Sequence, residues 1–471
     1  MARNVVLICL DTVRKDFFDE FAPKINKRAE VIFSQCRAAS GWSLPSHASM
    51  ITGQLPHQHG IHTHNRDFST LSPSETLFTQ LPDHYSIGVS SNLYAGSAYG
   101  FDRFFDEFHD IAPHRRFPDG LDMMEFSRES DASGISEYLR FLKTVVQQEH
   151  RLKSVANGVT AKINSALRGI PIPKIWDEGA TIISRKIKKR VQASSEPFFL
   201  FANYMDAHGP LQHILGFDKE LHSAPYTWNS YDSGTDRIQL SETSSEHLPD
   251  SVKYHRELYS AAIDYLDRKL SMLIEWLINN TDNTTTVIIT ADHGDNLAYK
   301  ADNHLFGHTS SLTEGILHVP FAIINPPSGY STTETQYFSH LQLPKLIHSL
   351  VKDDTPDVFT DRIPAEVIGK SGTVDRPDED TEYWDRMIRC VYEGQKKIVW
   401  DTLGNVDTYI LNQNQPCWQD ESDENSQIPA WASELFEVPI SIYKSRSKQT
   451  DCSQDQVSDV TRDRLERLGY M

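Results

Sequence analysis

At 471 residues the chain is long enough for one large core with a smaller appended unit, and 39% hydrophobic with 24% charged residues is the balance of a soluble globular protein. A formal net charge of −19 argues against a general nucleic-acid partner and fits an acidic, solvated surface. The five cysteines, Cys9, Cys36, Cys390, Cys417 and Cys452, are odd in number and scattered, which excludes a disulfide framework and fits a reducing compartment.

Asn4–Leu10 is a continuous apolar, β-branched run, the pattern of a strand buried on both faces of a parallel sheet. It ends abruptly in Asp11, with Thr12 and Asp16 close behind. No basic leader followed by a long apolar stretch is present, and no run approaches the roughly 18 apolar residues of a membrane span, so a cytoplasmic location is expected. Residues 22–29 read as a short helix and 31–36 as a strand leading to Gly41-Trp-Ser-Leu-Pro-Ser-His-Ala-Ser-Met-Ile-Thr-Gly53. Pro45, with its φ pre-set and no N–H, suits a first helical turn. Ser43 then falls at or just before the helix cap, where unpaired N–H groups and the positive end of the dipole favour negative charge. An ordinary N-cap serine is the simpler alternative.

Four histidines, His57, His59, His62 and His64, crowd the next segment in a spacing that fits no closed zinc site; at least two are expected to face solvent or be structural. Residues 85–90 form another short strand pattern ending at Ser91 and Asn92, and the aromatic-rich stretch 100–108 is expected to pack on the main body. Residues 135–170 carry apolar positions at helical spacing with Lys and Arg between them. They predict a pair of helices packed on the body, with a lid or a docking surface for a membrane or partner as the alternative. A helix at 178–192 leads to the apolar strand 197–203, which is followed by Asp206 and His208. A polar stretch without period at 218–250 reads as surface loop. An amphipathic helix at 254–277 then leads to the apolar strand 285–291, delivering Asp292 and His293.

Apolar strands alternating with helices predict an α/β fold with a mostly parallel central sheet flanked by helices. From about residue 369 the pattern changes to short alternating strands at 388–391, 397–401 and 407–411, then a polar linker and a terminal helix at 457–468. The division expected is a body over 1–368, with the helical insertion at 135–170, and a small antiparallel subdomain over 369–471. Four strands end in polar groups: Asp11, Asn92, Asp206 with His208, and Asp292 with His293. In a parallel sheet these ends share one edge and can converge. Two carboxylates, an imidazole and a hydroxyl make a four-ligand set for one divalent cation. The imidazole favours manganese or zinc, whereas oxygen ligands alone would suit calcium or magnesium.

These residues resemble the sulfatase family of the alkaline-phosphatase superfamily. The likeness is carried by Asp11-Thr-Val-Arg-Lys-Asp16, by Ser43-Leu-Pro-Ser-His47 through Gly53 with Pro56-His-Gln-His-Gly60, by Gly100-Phe-Asp-Arg-Phe-Phe105 and by Met205-Asp-Ala-His208-Gly-Pro210. It continues in Ala291-Asp-His-Gly294, in Gly307-His308 with Thr313-Glu314, and in the closing Arg464-Leu-Glu-Arg-Leu-Gly-Tyr470. The resemblance implies that Ser43 is both nucleophile and metal ligand, with Asp11, Asp292 and His293 completing the metal site. His208 and His308 match positions that contact the transferred group or protonate the leaving oxygen; with the strand-end residue Asn92 they are the substrate-binding candidates.

Departures from the arylsulfatase pattern are specific. His47 stands where Cys/Ser-x-Pro-x-Arg has its arginine, and is counted here with the catalytic candidates. Val89-Ser-Ser-Asn92 replaces a Gly-Lys-x-His segment, and His308 stands where a lysine is usual. Asp292-His293 replaces Asp-Asn, as in phosphonate and phosphate ester hydrolases of the superfamily. The resemblance therefore implies hydrolysis of sulfate esters, on a small-molecule or glycan substrate, by Ser43 unmodified or as formylglycine. A phosphodiester or phosphonate hydrolase, or a transferase acting through phosphoserine, is the alternative within that chemistry; a non-catalytic binder of anionic glycans is the alternative outside it.

Overall fold

The computed structural model describes residues 2–128, 135–167, 170, 172–194, 196–230, 249–308, 310–370, 381–423 and 426–447. The expected terminal helix at 457–468 and part of the loop at 218–250 lie outside them. The strands of the body are β1 (Asn4–Leu10), β2 (Val31–Arg37), β3 (Tyr85–Ser90), β4 (Glu107–Asp110), β5 (Phe198–Tyr204), β6 (Thr285–Thr290), β7 (Phe321–Ile324) and β8 (Thr333–Ser339). They form one eight-stranded sheet in the order β4-β3-β5-β1-β6-β7-β2-β8. β7 pairs antiparallel with both neighbours and every other pairing is parallel. The apolar runs sit at the centre: every residue of β1, β5 and β6 is buried.

Register brings the chemistry-bearing strand ends level. Leu10 pairs with Tyr204, Cys9 with Thr290 and Ser90 with Asn203. The residues just past β1, β3, β5 and β6 therefore emerge together at one edge, where open α/β sheets hold their ligands. Helices cover the sheet. The longest runs from Asp250 to Asn279 and buries Leu258, Ala262, Leu266, Leu270, Leu273 and Leu277, the stripe its periodicity predicts. The aromatic segment after Gly100 does pack on the body, with Phe101 5.6 Å from Phe201 between ring centroids, and it feeds β4, a strand its composition did not suggest.

A second sheet is wholly antiparallel, in the order β13-β12-β11-β10-β9, from β9 (Arg362–Ile368), β10 (Met387–Glu393), β11 (Lys396–Asp401), β12 (Val406–Leu411) and β13 (Gln419–Glu421). It begins at Arg362 and not at residue 369, because β9 pairs along its length with β10. Gly369, where the composition changes, is only the left-handed turn that ends β9 (φ 74°).

The insertion forms two helices, Ile135–Gln147 and Arg151–Leu167, which pack on each other. Their apolar stripe, expected against the body, is exposed instead. Among the described residues no helix is long and apolar enough to cross a membrane.

Candidate active site

The loop after β2 enters a helix at Ser43–Thr52. Trp42, extended at φ −159° and ψ 165°, occupies the cap position, so Ser43 is the first helical residue and its hydroxyl is not the cap. Pro45 lies in the first turn as expected. The Ser43 Oγ lies 3.2 Å from His293 Nε2. His293 Nδ1 is 2.7 Å from the carbonyl oxygen of Gly294, so the proton sits on Nδ1 and the lone pair on Nε2 faces the serine.

Asp11, Asp292 and His293 form a buried group whose ligand atoms lie within 4.8 Å of one another. Asp11 Oδ2 accepts from the amides of Asn92 at 2.5 Å and Asn203 at 3.3 Å, whereas its Oδ1 is buried with no hydrogen-bond partner. Asp292 Oδ1 accepts from the backbone N–H groups of Thr12 and His293, and its Oδ2 is buried without a hydrogen bond, 3.5 Å from His293 Nε2 and 3.7 Å from His47 Nδ1. Each carboxylate thus has one oxygen anchored and one unfilled. Burial, then the charge of Asp292, pushes the Asp11 carboxyl well up. Burial opposes ionisation of Asp292 too, but the imidazoles of His293 and His47 hold it down. Two neighbouring buried carboxylates with unfilled oxygens beside an imidazole lone pair are a donor set that suits a divalent cation. Thr12, at φ 61°, makes the sharp left-handed step that turns the chain away after Asp11.

His47 is fully buried beneath the serine. Its Nδ1 lies 2.7 Å from the Ser43 carbonyl and its Nε2 3.3 Å from the amide nitrogen of Asn203. Nδ1 therefore donates to Ser43 and Nε2 accepts from Asn203. Burial lowers the pKa of this imidazole, so it is neutral at ordinary pH. These contacts make His47 a brace between the Ser43 backbone and the residues around Asp11. Asn92 is similarly placed. Its amide nitrogen donates to Asp11 and its oxygen accepts from Tyr94 N–H at 2.7 Å, so it orients the Asp11 carboxylate.

His208 and His308 converge on the same edge: ring centroids are 5.2 Å apart, and His308 is 4.8 Å from His293. The His208 Nδ1 donates to the Gly209 carbonyl, and the His308 Nδ1 lies 3.3 Å from Asp295 Oδ1. Asp206 is not part of this set. Its Oδ1 accepts from Glu178 and Ala180 N–H, fixing the start of the helix Ala180–Ala193. The histidine-rich segment is structural: His57 bonds Glu366 at 2.8 Å through Nδ1, and His59 lies 3.2 Å from Ser49 Oγ. Asp16 pairs with the buried Arg14, which also holds Asp302.

Sequence reasoning missed Asn203 and Asp295. Asn203 carried a legible signal, as a polar residue inside an otherwise apolar strand. Asp295, one of several acids after β6, carried none.

A model of the sulfatase family matches residues 3–352, most of the chain. A curated relative, the uncharacterized sulfatase YidJ of Escherichia coli strain K12, is 23% identical over 173 residues, covering 35% of this chain and 34% of that protein, so the match spans about a third of the relative's length. Among solved structures, the phosphonate monoester hydrolase SpPMH from Silicibacter pomeroyi aligns with a TM-score of 0.57 at 13% identity, covering 100% of this chain and 96% of that one. A 2-O GAG sulfatase aligns with a TM-score of 0.54 at 14% identity, covering 97% and 94%. At such identities the structural likeness establishes the fold. The family match establishes membership: the chain belongs to the sulfatase family.

Proposed function

We propose that this sulfatase-family protein hydrolyses sulfate esters, with Ser43 as the nucleophile. The observation that carries the reading is the Ser43 hydroxyl 3.2 Å from the Nε2 lone pair of His293, beside the unfilled oxygens of Asp11 and Asp292. Asp11, Asp292, His293 and Ser43 would hold one divalent cation, with manganese or zinc preferred for the imidazole ligand. When bound, such an ion supplies Lewis acidity and lowers the pKa of a coordinated hydroxyl.

The remaining work falls to side chains. His293 keeps its lone pair aimed at Ser43 because Gly294 holds the opposite nitrogen. His47 and Asn203 hold the serine's backbone and the Asp11 carboxylate in register. His308, oriented by Asp295, is placed to donate a proton to the leaving oxygen, and His208 is placed to hold the transferred group.

A second reading is favoured by the imidazoles of His208, His293 and His308 gathering at one edge, with His308 where an arylsulfatase has lysine and His293 where it has asparagine. They suit a phosphoryl centre, as in phosphonate or phosphodiester hydrolysis through a phosphoserine. Turnover of an aryl sulfate, a phosphate diester and a phosphonate monoester with added manganese, read beside the mass of the Ser43 peptide, tests both. Preference for the sulfate with serine or formylglycine at position 43 is expected. Preference for the diester or phosphonate by orders of magnitude, with trapped phosphoserine, replaces the first reading by the second. A Ser43→Ala protein that binds an anionic glycan as the parent does, with neither turning over any substrate, would make the protein a binder.

A further inference from the structure

The helical pair Ile135–Gln147 and Arg151–Leu167 is inverted relative to an ordinary surface helix. Its second helix buries polar residues: Asn157 donates to the carbonyls of Phe117 at 2.9 Å and Leu121 at 3.0 Å, and its oxygen accepts from Phe117 N–H. Ser154 Oγ accepts from Leu121 N–H at 3.0 Å. Gly158 seats the first helix, since a Cβ there would lie 2.5 Å from the Phe141 ring. These contacts fix which face points out, and that face is apolar. Leu152 is 87% exposed and Val155 and Val159 stand in line with it, while Leu139, Leu142 and Val146 form the matching stripe of the first helix, each more than half exposed. Rotating the stripe inward would break every one of the polar anchors.

Charge identifies the occupant. The chain as a whole carries −19, yet residues 135–190 hold twelve Lys and Arg against four Asp and Glu. Lys143, Arg151 and Lys162 are exposed alongside the stripe. More basic charge lies close by: Asp119, the partner of Lys153, also feels Lys186 and Lys189 of the helix Ala180–Ala193. Two copies joined through this face would oppose like-charged surfaces, whereas lipid phosphates complement it. Repulsion from the acidic remainder is screened beyond about 8–10 Å.

We propose that this helical pair docks the protein peripherally on an anionic lipid surface, with the leucines and valines at the acyl boundary and the lysines and arginines on phosphates. The proposal is independent of the chemistry at Ser43.

Sedimentation of the full chain with vesicles tests it, using phosphatidylcholine alone and phosphatidylcholine mixed with phosphatidylglycerol. Binding is expected to the mixed vesicles only, weakening as salt is raised. Lys143→Glu, Arg151→Glu and Lys162→Glu together should lower partitioning by at least on the order of a hundred-fold. Leu139→Ser, Leu152→Ser and Val155→Ser together should also abolish it, with turnover of a soluble ester unchanged in both variants. Binding to neither vesicle, equal binding to both, or variants that bind like the parent would overturn the proposal. So would a concentration-dependent dimer in light scattering that the serine variant no longer forms.

Discussion

Asp11 shows at the scale of single residues how the site is prepared. Two side-chain amides hold one of its oxygens and leave the other unfilled, and the second of those amides, from Asn203, also holds His47. Asn203→Ala removes the group that couples the Asp11 carboxylate to the brace beneath Ser43. Metal affinity, measured by titration of the metal-stripped protein, should fall about 10–100-fold, the usual effect of losing a partner of a ligand. His308 makes a different prediction. If it protonates the leaving oxygen, His308→Ala should slow alkyl esters by about 10²–10⁴-fold while sparing aryl esters whose leaving groups need no proton. Equal loss on both would show that it acts on the transferred group. The places of Asp11, His208, Asp292 and His293 were legible because each comes soon after a buried strand, that of Ser43 because it opens the signature loop, and that of His308 only through the family resemblance. The tasks of His47 and Asn92 were not, since a residue's type does not say which way its hydrogen bonds run.

Between elements, position depends on close backbone approach. The turn carrying Asp292 and His293 is clamped to the short helix Glu314–Leu317 by Gly294 N–H donating to Ile316 O at 2.7 Å. A Cβ at Gly294 would lie 2.1 Å from the carbonyl oxygen of Gly315, an atom that cannot move aside like the end of a flexible side chain. Gly294→Ala should therefore cost about 1–3 kcal/mol in urea unfolding. Because the displaced turn carries His293, turnover should fall further, by on the order of 10²-fold for a shift near 1 Å. Strand β1 and the long helix Asp250–Asn279 were readable from periodicity alone. β4 and β9 were not, because an edge strand that is short, like β4, or interrupted by a proline, like β9 at Pro364, takes its conformation from pairing more than from a pattern of its own.

Across the whole molecule the two sheets are joined by buried charge. Glu314 binds Arg37 of β2 at 2.9 Å and Lys397 of β11 at 3.0 Å, and all three are essentially inaccessible. Burial by itself would raise the Glu314 carboxyl, but Arg37 and Lys397 outweigh it and hold the pKa down to about 2 against an ordinary 4.5. A depressed carboxylate stabilises the fold above its unfolded pKa, and that contribution is lost as pH falls from about 4.5 toward 2. Glu314→Gln should lower stability at neutral pH by about 3–5 kcal/mol, since it leaves two buried cations uncompensated. The gap between parent and variant in urea titrations should then narrow across that acid window. A gap independent of pH would mean that Glu314 contributes by packing.

What the chain determined by itself was the sheet and the rank of polar residues along one of its edges. Both follow from local pattern: unbroken apolar runs must be buried, and parallel strands must end together. Only the tertiary structure decided which of those residues touch, because that depends on contacts such as Asn203 to both Asp11 and His47, made between segments far apart in sequence. It also decided the direction of the 135–167 pair. Helical periodicity specifies that a helix has an apolar face, but the hydrogen bonds of Asn157 and Ser154 to a neighbouring loop specify that this face turns outward.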